Sequence, residues 1–346
     1  MREPKCPVNL EESDQPVWER LRDLPRPENP DTFTPKQLFQ RMALHQEPDD
    51  RVEKEILFRE KNSFKNNRII TLRTGSLGSL ILMHTVSGTL FDYQGLIHRL
   101  DSRLEIVGIP YQPLLQPDIN IESIAEKYSE TILQSFGAKP ILLAGYSFGG
   151  IVAFEIAHQI EKRGGHVVFI GLLDSFLDEN PKPSKYNNCI EFTSNLPEWI
   201  VNDMQHVRLI NWFQRLKKAY CKIKRQISPN SSKHLRQVDE VFNLTHASPL
   251  LKSTVQSHLN AIDLYRPVSI HCKISYFRAK VRPLFQHYRP ERAWRRYSLT
   301  GLDCYEIPGN HWSLLMQEKS LDTLGKSIEA ALPWDKITRI ESTSSL

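Results

Sequence analysis

Residues 142–150 have the sequence Leu-Leu-Ala-Gly-Tyr-Ser-Phe-Gly-Gly, and residues 151–157 continue as Ile-Val-Ala-Phe-Glu-Ile-Ala. An apolar run, a Gly-x-Ser-x-Gly pattern and a helical pattern in this order are typical of a nucleophile elbow. The sharp turn needs Gly145 and Gly149, because Cβ atoms there would obstruct the approach of strand and helix. We expect Ser147 to project above the sheet. The alternative is an ordinary strand-to-helix turn with a capping serine.

Strands and helices alternate around this motif. Apolar or β-branched runs at residues 68–72 and 79–83 flank a turn-rich segment, which predicts a hairpin that opens the sheet. A strand at 104–110 and a helix at 121–136 follow, and residues 140–144 form the strand that leads into the elbow. This alternation predicts an α/β fold with a mostly parallel central sheet, right-handed crossovers and flanking helices. The elbow then lies at the carboxyl ends of the strands, where such sheets keep their sites.

The next strand supplies a candidate acid. Residues 166–173 form a continuous apolar run, which predicts a strand buried on both faces, and Asp174 follows it directly. An acid there can orient a catalytic histidine; the alternative is that Asp174 only caps a turn. In an alternative form of the serine–acid–histidine triad, the acid follows a later strand. That strand is predicted here at 272–277, but residues 276–290 contain no Asp or Glu. If the site holds a triad, Asp174 is its natural acid.

In triads built on a nucleophile elbow, the catalytic residues follow one another along the chain as serine, acid and histidine. We therefore expect the candidate base late in the chain. Residues 304–307 predict the last strand, residues 308–312 (Pro-Gly-Asn-His-Trp) a loop, and residues 313–332 a closing helix. His287 also lies late, but no strand leads directly into it. We therefore assign the base to His311, against the alternative of a surface-loop histidine.

Two backbone amides are candidates for an oxyanion hole, which needs converging N–H donors. The strand at 79–83 runs into His-Thr-Val-Ser-Gly at 84–88, and the loop after such a strand supplies one donor. We assign this donor to Val86 and the second to Phe148, next to the serine. The alternative for residues 84–88 is a plain strand-to-helix loop.

Composition limits the classes of partner. The chain has 346 residues, 40% of them hydrophobic and 25% charged, with a net charge of +5. This length can hold one large α/β domain and an appendage. The charge is modest and no nucleic-acid-binding motif is recognisable, so we expect no nucleic-acid partner. No apolar run approaches 18 residues, so we expect no membrane span.

The cysteines indicate the compartment. They occur at positions 6, 189, 221, 272 and 304, an odd number without paired short spacings. This pattern argues against a zinc site and a disulfide framework, and it fits a reducing compartment. The first residues are polar and contain proline, unlike a signal peptide. We therefore expect a cytoplasmic protein.

The two ends of the chain differ from the rest. Residues 1–66 contain prolines at 25, 27, 30 and 35 and dense charge from 46 to 61. They are too polar to build a large core of their own, so we expect a polar N-terminal extension with short helices or partial disorder. The main domain is predicted at residues 67–335, and residues 336–346 form a C-terminal tail.

Residues from about 79 to 332 resemble the thioesterase domains of non-ribosomal peptide and polyketide synthases, a branch of the α/β-hydrolase fold. The resemblance rests on Gly-Tyr-Ser-Phe-Gly-Gly at 145–150, Leu-Leu-Asp at 172–174, Tyr-Phe-Arg-Ala at 276–279 and Ile-Pro-Gly-Asn-His-Trp-Ser-Leu-Leu at 307–315. The family's triad falls on Ser147, Asp174 and His311. One departure is His84-Thr85, where the family usually has His-Pro before the oxyanion residue.

The resemblance implies a serine thioesterase that releases acyl, polyketide or peptidyl chains from a phosphopantetheine thioester. The substrate would be carried on the phosphopantetheine arm of an acyl or peptidyl carrier protein, and no bound cofactor or metal is needed. Residues 1–66 lack a phosphopantetheine-attachment motif, so we expect a stand-alone or released thioesterase. Two alternatives remain: a carboxylester hydrolase or acyltransferase with the same triad, and a catalytically idle binding module of the same fold.

Residues from about 180 to 249 interrupt the alternation of strands and helices, which predicts a helical lid over the site. From Arg208 to Ile227, basic and apolar residues are interleaved without any acidic residue, as in a basic amphipathic helix. Three interpretations remain open: docking of an acidic carrier protein, contact with an anionic membrane surface, and a solvated helix that covers the acyl pocket. Charge runs most often belong to solvated faces, and membrane contact is the least favoured.

Overall fold

A seven-stranded, mostly parallel sheet forms the centre of the computed structural model. The structure describes residues 69–111, 119–137, 139–177, 194–195, 197–198, 249–282 and 289–337. The strands are, in chain order, β1 (Ile70–Arg73), β2 (Leu77–Met83), β3 (Leu104–Ile109), β4 (Ile141–Tyr146), β5 (Val167–Leu173), β6 (Ile274–Val281) and β7 (Leu302–Asn310). Their order across the sheet is β1-β3-β2-β4-β5-β6-β7, and only β1 with β3 is antiparallel. The predicted α/β fold with a mostly parallel sheet is confirmed.

Helices connect the strands. Those whose full extent lies within the described residues are α1 (Gln94–Ile97), α2 (Ile121–Phe136), α3 (Phe148–Lys162), α4 (Pro249–Leu264), α5 (Glu291–Arg295) and α6 (Glu318–Ala331), with 3-10 turns at Phe91–Tyr93 and Ser313–Leu315. α2 has the predicted bounds. The predicted closing helix at 313–332 is instead divided into a 3-10 turn and α6. None of the helices in the described ranges has the length and hydropathy that a membrane span requires.

The predicted hairpin at the start of the sheet is wrong, because β1 pairs with β3 and not with β2. β2 is bonded on both sides: Ile81 pairs with Val107 of β3 and with Leu143 of β4. The apolar strand β2 therefore occupies the interior of the sheet, where both of its faces are covered. β1 has partly exposed side chains and joins at the outer edge of β3.

Hydrophobic cores cover both faces of the sheet. Successive residues of a strand point to opposite faces. Ile81 and Leu143 accordingly pack in the core that includes α2 and α3, whereas Leu82 and Leu142 pack in the core that includes α1 and α6. Burial on both faces explains why these strands are continuously apolar. Because β2 to β7 run parallel, their carboxyl ends lie side by side along one edge of the sheet.

Several predicted segments lie outside the residues that the structure describes. They are the N-terminal extension at 1–66, the basic segment at 208–227, nearly all of the predicted lid, and residues 338–346 of the predicted tail. Residue 287 also lies outside the described ranges.

Candidate active site

Ser147 occupies a strained turn between β4 and α3. Its φ is 54° and its ψ is −113°, a backbone conformation that a non-glycine residue rarely adopts. The Ser147 side chain makes no capping hydrogen bond to α3, so the alternative of a capping serine does not describe this turn. Such strain persists where the surrounding structure enforces it, and it is common at functional sites.

The glycines of the elbow allow the close backbone approach that the sequence predicts. A Cβ atom on Gly145 would stand 2.2 Å from the carbonyl carbon of Gly149. A Cβ atom on Gly149 would stand 2.6 Å from the carbonyl oxygen of His84 and 2.8 Å from that of Met83. The strand, the helix and the loop after β2 therefore meet at backbone contact distance.

Asp174 lies beside the elbow, one strand away. Tyr146 and Leu173 are paired in the β4–β5 register, so Ser147 and Asp174 directly follow two paired residues. The Ser147 amide donates a hydrogen bond to the Leu173 carbonyl at 2.9 Å. Asp174 has a φ of 48° and is completely buried. The two strand ends thus place these candidate residues next to each other.

His311 directly follows β7 and is hydrogen-bonded to Asp174. Its Nδ1 is 2.8 Å from Asp174 Oδ2. An ionised carboxylate only accepts, so the imidazole nitrogen donates. In the neutral ring this leaves the lone pair on Nε2, the atom that a general base uses. The structure therefore brings the predicted acid and the predicted base together in the arrangement of a catalytic pair.

A second buried partner holds the Asp174 carboxylate. Oδ1 accepts a hydrogen bond from Arg282 Nη1 at 2.8 Å and another from the Ala279 amide at 2.9 Å. Burial by itself would raise the pKa of Asp174, but the Arg282 charge and the His311 hydrogen bond outweigh it, and the pKa lies below its usual value. Asp174 is therefore ionised at neutral pH.

Aromatic contacts fix the position of the imidazole. The ring of Tyr146 stacks on that of His311 with a centroid distance of 4.8 Å and an interplanar angle of 24°. The Tyr146 hydroxyl donates to the His311 carbonyl at 2.6 Å. Asn310 Oδ1 accepts from the amides of Trp312 and Ser313 at 3.0 Å each, which closes the turn that carries the histidine. The second residue of the Gly-x-Ser-x-Gly motif thus supports the candidate base.

The two candidate oxyanion donors lie on adjacent elements. Val86 is in the turn after β2, which is closed by a hydrogen bond from the Gly88 amide to the Thr85 carbonyl at 2.9 Å. Phe148 is the first residue of α3, and the first amides of a helix have no acceptor within it. The Tyr93 hydroxyl joins the two sides: it donates to the Met83 carbonyl at 2.8 Å and accepts from the Tyr146 amide at 2.7 Å.

Arg282 is a site residue that the sequence interpretation missed. It is 2% exposed, and its guanidinium carbon lies 4.3 Å from the ring centroid of Phe176. One indirect indication of a basic partner for Asp174 was present in the sequence: Arg282 lies in the stretch 276–290, which contains no acidic residue. Within the described ranges, no cluster of three His, Cys, Asp or Glu side chains could hold a metal ion.

The sheet and the elbow define an α/β-hydrolase fold, and two solved structures share it. One is a four-domain nonribosomal peptide synthetase bound to AMP and glycine, with a TM-score of 0.54 and 21% identity; the match covers 77% of this chain and 20% of that chain. The other is the NocB thioesterase domain in a covalent complex with a fluorophosphonate nocardicin G analog. Its TM-score is 0.50 at 22% identity, and the match covers 76% of this chain and 98% of that chain.

Sequence comparison finds a family model and relatives that are similar to part of the chain. Residues 79–196 match the family model of the thioesterase domain. Enterobactin synthase component F of Escherichia coli (strain K12) is 35% identical over 115 residues, which are 32% of this chain and 9% of that protein. Orsellinic acid synthase ArmB of Armillaria ostoyae is 31% identical over 113 residues, 32% of this chain and 5% of that protein. The match thus spans less than a tenth of these relatives. The predicted resemblance to synthase thioesterase domains is confirmed.

We expect Arg282→Met to lower the free energy of unfolding by about 3–5 kcal/mol, the range for removal of one partner from a buried ion pair. Urea denaturation at pH 7 measures the change. Arg282→Lys keeps a positive charge near Asp174 and should lose less. Equal stability of Arg282→Met and wild type would contradict a pairing role for Arg282.

The same variant should change the pH dependence of stability. In the wild type, the stabilisation from ionised Asp174 is fully present above the unfolded pKa of 3.8 and is lost as the pH falls through the lower folded value. Without Arg282, the strongest influence that lowers the pKa of Asp174 is gone, so the folded pKa moves up toward the unfolded value and less stability is lost as the pH falls. Urea denaturation between pH 3 and pH 7 compares the two profiles, and identical profiles would contradict the expectation.

Proposed function

We propose that this chain is a serine thioesterase that releases acyl, polyketide or peptidyl chains from a phosphopantetheine thioester through an acyl-serine intermediate. The observation that carries this proposal is the 2.8 Å hydrogen bond between His311 and buried Asp174, beside the strained Ser147. The thioesterase family match at residues 79–196 supports the substrate class. The match to synthases supports a carrier-bound substrate, since carrier proteins deliver their chains on a phosphopantetheine arm.

The first half of the reaction acylates the serine. His311 Nε2 takes the proton from Ser147 Oγ, and the oxygen attacks the thioester carbonyl carbon. The developing oxyanion accepts hydrogen bonds from the amides of Val86 and Phe148. The tetrahedral intermediate collapses, the carbon–sulfur bond breaks, and His311 returns the proton to the departing thiolate. Asp174 stabilises the imidazolium during both proton transfers.

The second half frees the acyl group. Water, or a nucleophile within the chain being released, gives its proton to His311 and attacks the serine ester. The same two amides hold the second oxyanion, and Ser147 leaves with the proton from His311. Hydrolysis therefore yields a carboxylic acid, whereas an internal nucleophile yields a cyclic product.

The partner in this proposal is an acyl or peptidyl carrier protein. The basic segment at 208–227 has the charge to dock an acidic carrier. This segment lies outside the described residues.

We expect a fluorophosphonate probe to label wild-type protein at Ser147, with one adduct per chain in the intact mass. Ser147→Ala should carry no adduct. Ser135→Ala serves as the matched control, because Ser135 lies on α2 and only donates to the Thr131 carbonyl. The control should label like the wild type. A folded wild-type sample without labelling would favour an idle binding module.

We expect acyl-pantetheine thioesters to be turned over with a higher kcat/KM than oxygen esters of equal chain length.

Asp174→Asn should lower kcat by roughly 10⁴-fold, since the histidine loses its orienting anion. His311→Ala should either trap the acyl-enzyme or fail to acylate, as intact mass would reveal. A strong preference for oxygen esters would point to a carboxylester hydrolase or acyltransferase instead.

A further inference from the structure

Two buried histidines lie behind the loop that carries Val86. His84 directly follows β2 and His258 lies on α4, and both side chains are completely buried. Their rings stack with a centroid distance of 5.2 Å and an interplanar angle of 27°. The ring of Phe148 stacks on His258 at 4.3 Å. Neither histidine takes part in the chemical steps above, although both touch the elements that carry the candidate oxyanion donors.

Each histidine donates a hydrogen bond to a carbonyl of this loop. His84 Nδ1 is 2.9 Å from the Thr85 oxygen, and His258 Nδ1 is 2.8 Å from the Val86 oxygen. Carbonyl oxygens only accept, so both Nδ1 atoms carry a proton. Burial lowers the pKa of His84 to about 3 and that of His258 to about 4. Both rings are therefore neutral at pH 7, protonated at Nδ1.

These two bonds hold two consecutive peptide groups. A trans peptide is planar, so its C=O and the following N–H point in opposite directions. The Thr85 carbonyl accepts from His84 and from the Gly88 amide, which sets the direction of the Val86 N–H. The Val86 carbonyl accepts from His258, which sets the plane of the next peptide. The loop cannot rotate the Val86 amide without breaking at least one of these bonds.

Each of the two histidine rings also has one nitrogen without a hydrogen bond to any described residue. Nε2 of His84 and Nε2 of His258 are buried without a hydrogen-bond partner in the described part of the chain. A buried polar atom without a partner costs stability. Replacing either ring by an apolar side chain would remove this cost, so the Nε2 atoms give no reason for a histidine at either position. The carbonyl bonds of the Nδ1 atoms are the contacts that an apolar side chain would lose.

We propose that His84 and His258 are positioning residues that hold the Val86 amide toward the oxyanion. The inference rests on the proposed function, because it needs Val86 as an oxyanion donor. His258 contributes from α4, the first helix described after the predicted lid. The interaction therefore connects the part of the chain that follows the predicted lid with the loop after β2.

The test compares His258→Asn with His258→Leu. The Asn amide nitrogen is bonded to Cγ as Nδ1 is, so it can donate to the Val86 carbonyl, whereas Leu cannot. We expect His258→Leu to lower kcat for an acyl-pantetheine thioester by about 10- to 100-fold. The effect should not exceed the loss of a whole oxyanion donor, because the Val86 amide is still present and only its orientation is affected. KM should change little. His258→Asn should recover most of the lost kcat.

A transition-state analogue separates positioning from a general structural effect. A trifluoromethyl ketone of the same acyl chain forms a tetrahedral adduct with the serine, so its affinity depends on the oxyanion donors. Its affinity should fall in His258→Leu by the same factor as kcat. Unchanged kcat and affinity in folded His258→Leu would overturn the inference, and so would an equal loss in His258→Asn and His258→Leu.

A second pair of variants covers the case in which His258→Leu does not fold. His84→Asn and His84→Leu make the same comparison at the Thr85 carbonyl, with the same expected and contrary results. Measurements on the wild type distinguish failure of the proposed thioesterase activity from failure of the positioning role of His84 and His258. Wild-type protein that neither labels with a fluorophosphonate nor turns over thioesters overturns the proposed function. Wild-type turnover together with unaffected histidine variants overturns only the positioning role.

Discussion

The buried carboxylate of Asp174 connects the ends of three neighbouring strands. It follows β5 and accepts hydrogen bonds from Ala279 in β6, from Arg282 after β6 and from His311 after β7. A charge removed from water is tolerated only when such partners replace the lost solvation. The contacts that keep this charge in the protein therefore also orient the candidate base, so the stability of this edge of the sheet and the geometry of the site depend on one group.

On the opposite side of the site, several contacts come from neutral groups. Gly149 brings the elbow into backbone contact with the loop after β2, and the Tyr93 hydroxyl bridges the ends of β2 and β4. The buried rings of His84 and His258 lie behind the same loop in their neutral form. A negative charge that develops here would meet oriented N–H groups, whose stabilising effect is large where water is excluded.

Local sequence was sufficient wherever short-range interactions determine the structure. α2 has the predicted bounds because Asn120 and Ser123 form a capping box at its start and Gly137 adopts a positive φ after its end. The elbow is recognisable for the same reason, since its glycines are needed within a few residues of Ser147. The pairing of β1 was predicted wrongly, because two apolar runs separated by a turn do not specify which strand edge remains open.

The order of the candidate serine, acid and histidine could be predicted from the sequence, and so could the apolar strands that lead into Ser147 and Asp174, because each prediction depends on a short local pattern. Arg282 and His258 did not, because their partners are remote in the chain. The Arg282–Asp174 contact joins residues 108 positions apart, and the His258–Val86 contact joins residues 172 positions apart. Which arginine pairs with the buried Asp174, and which histidine donates to the Val86 carbonyl, was decided only when packing of the sheet and its helices brought these residues together.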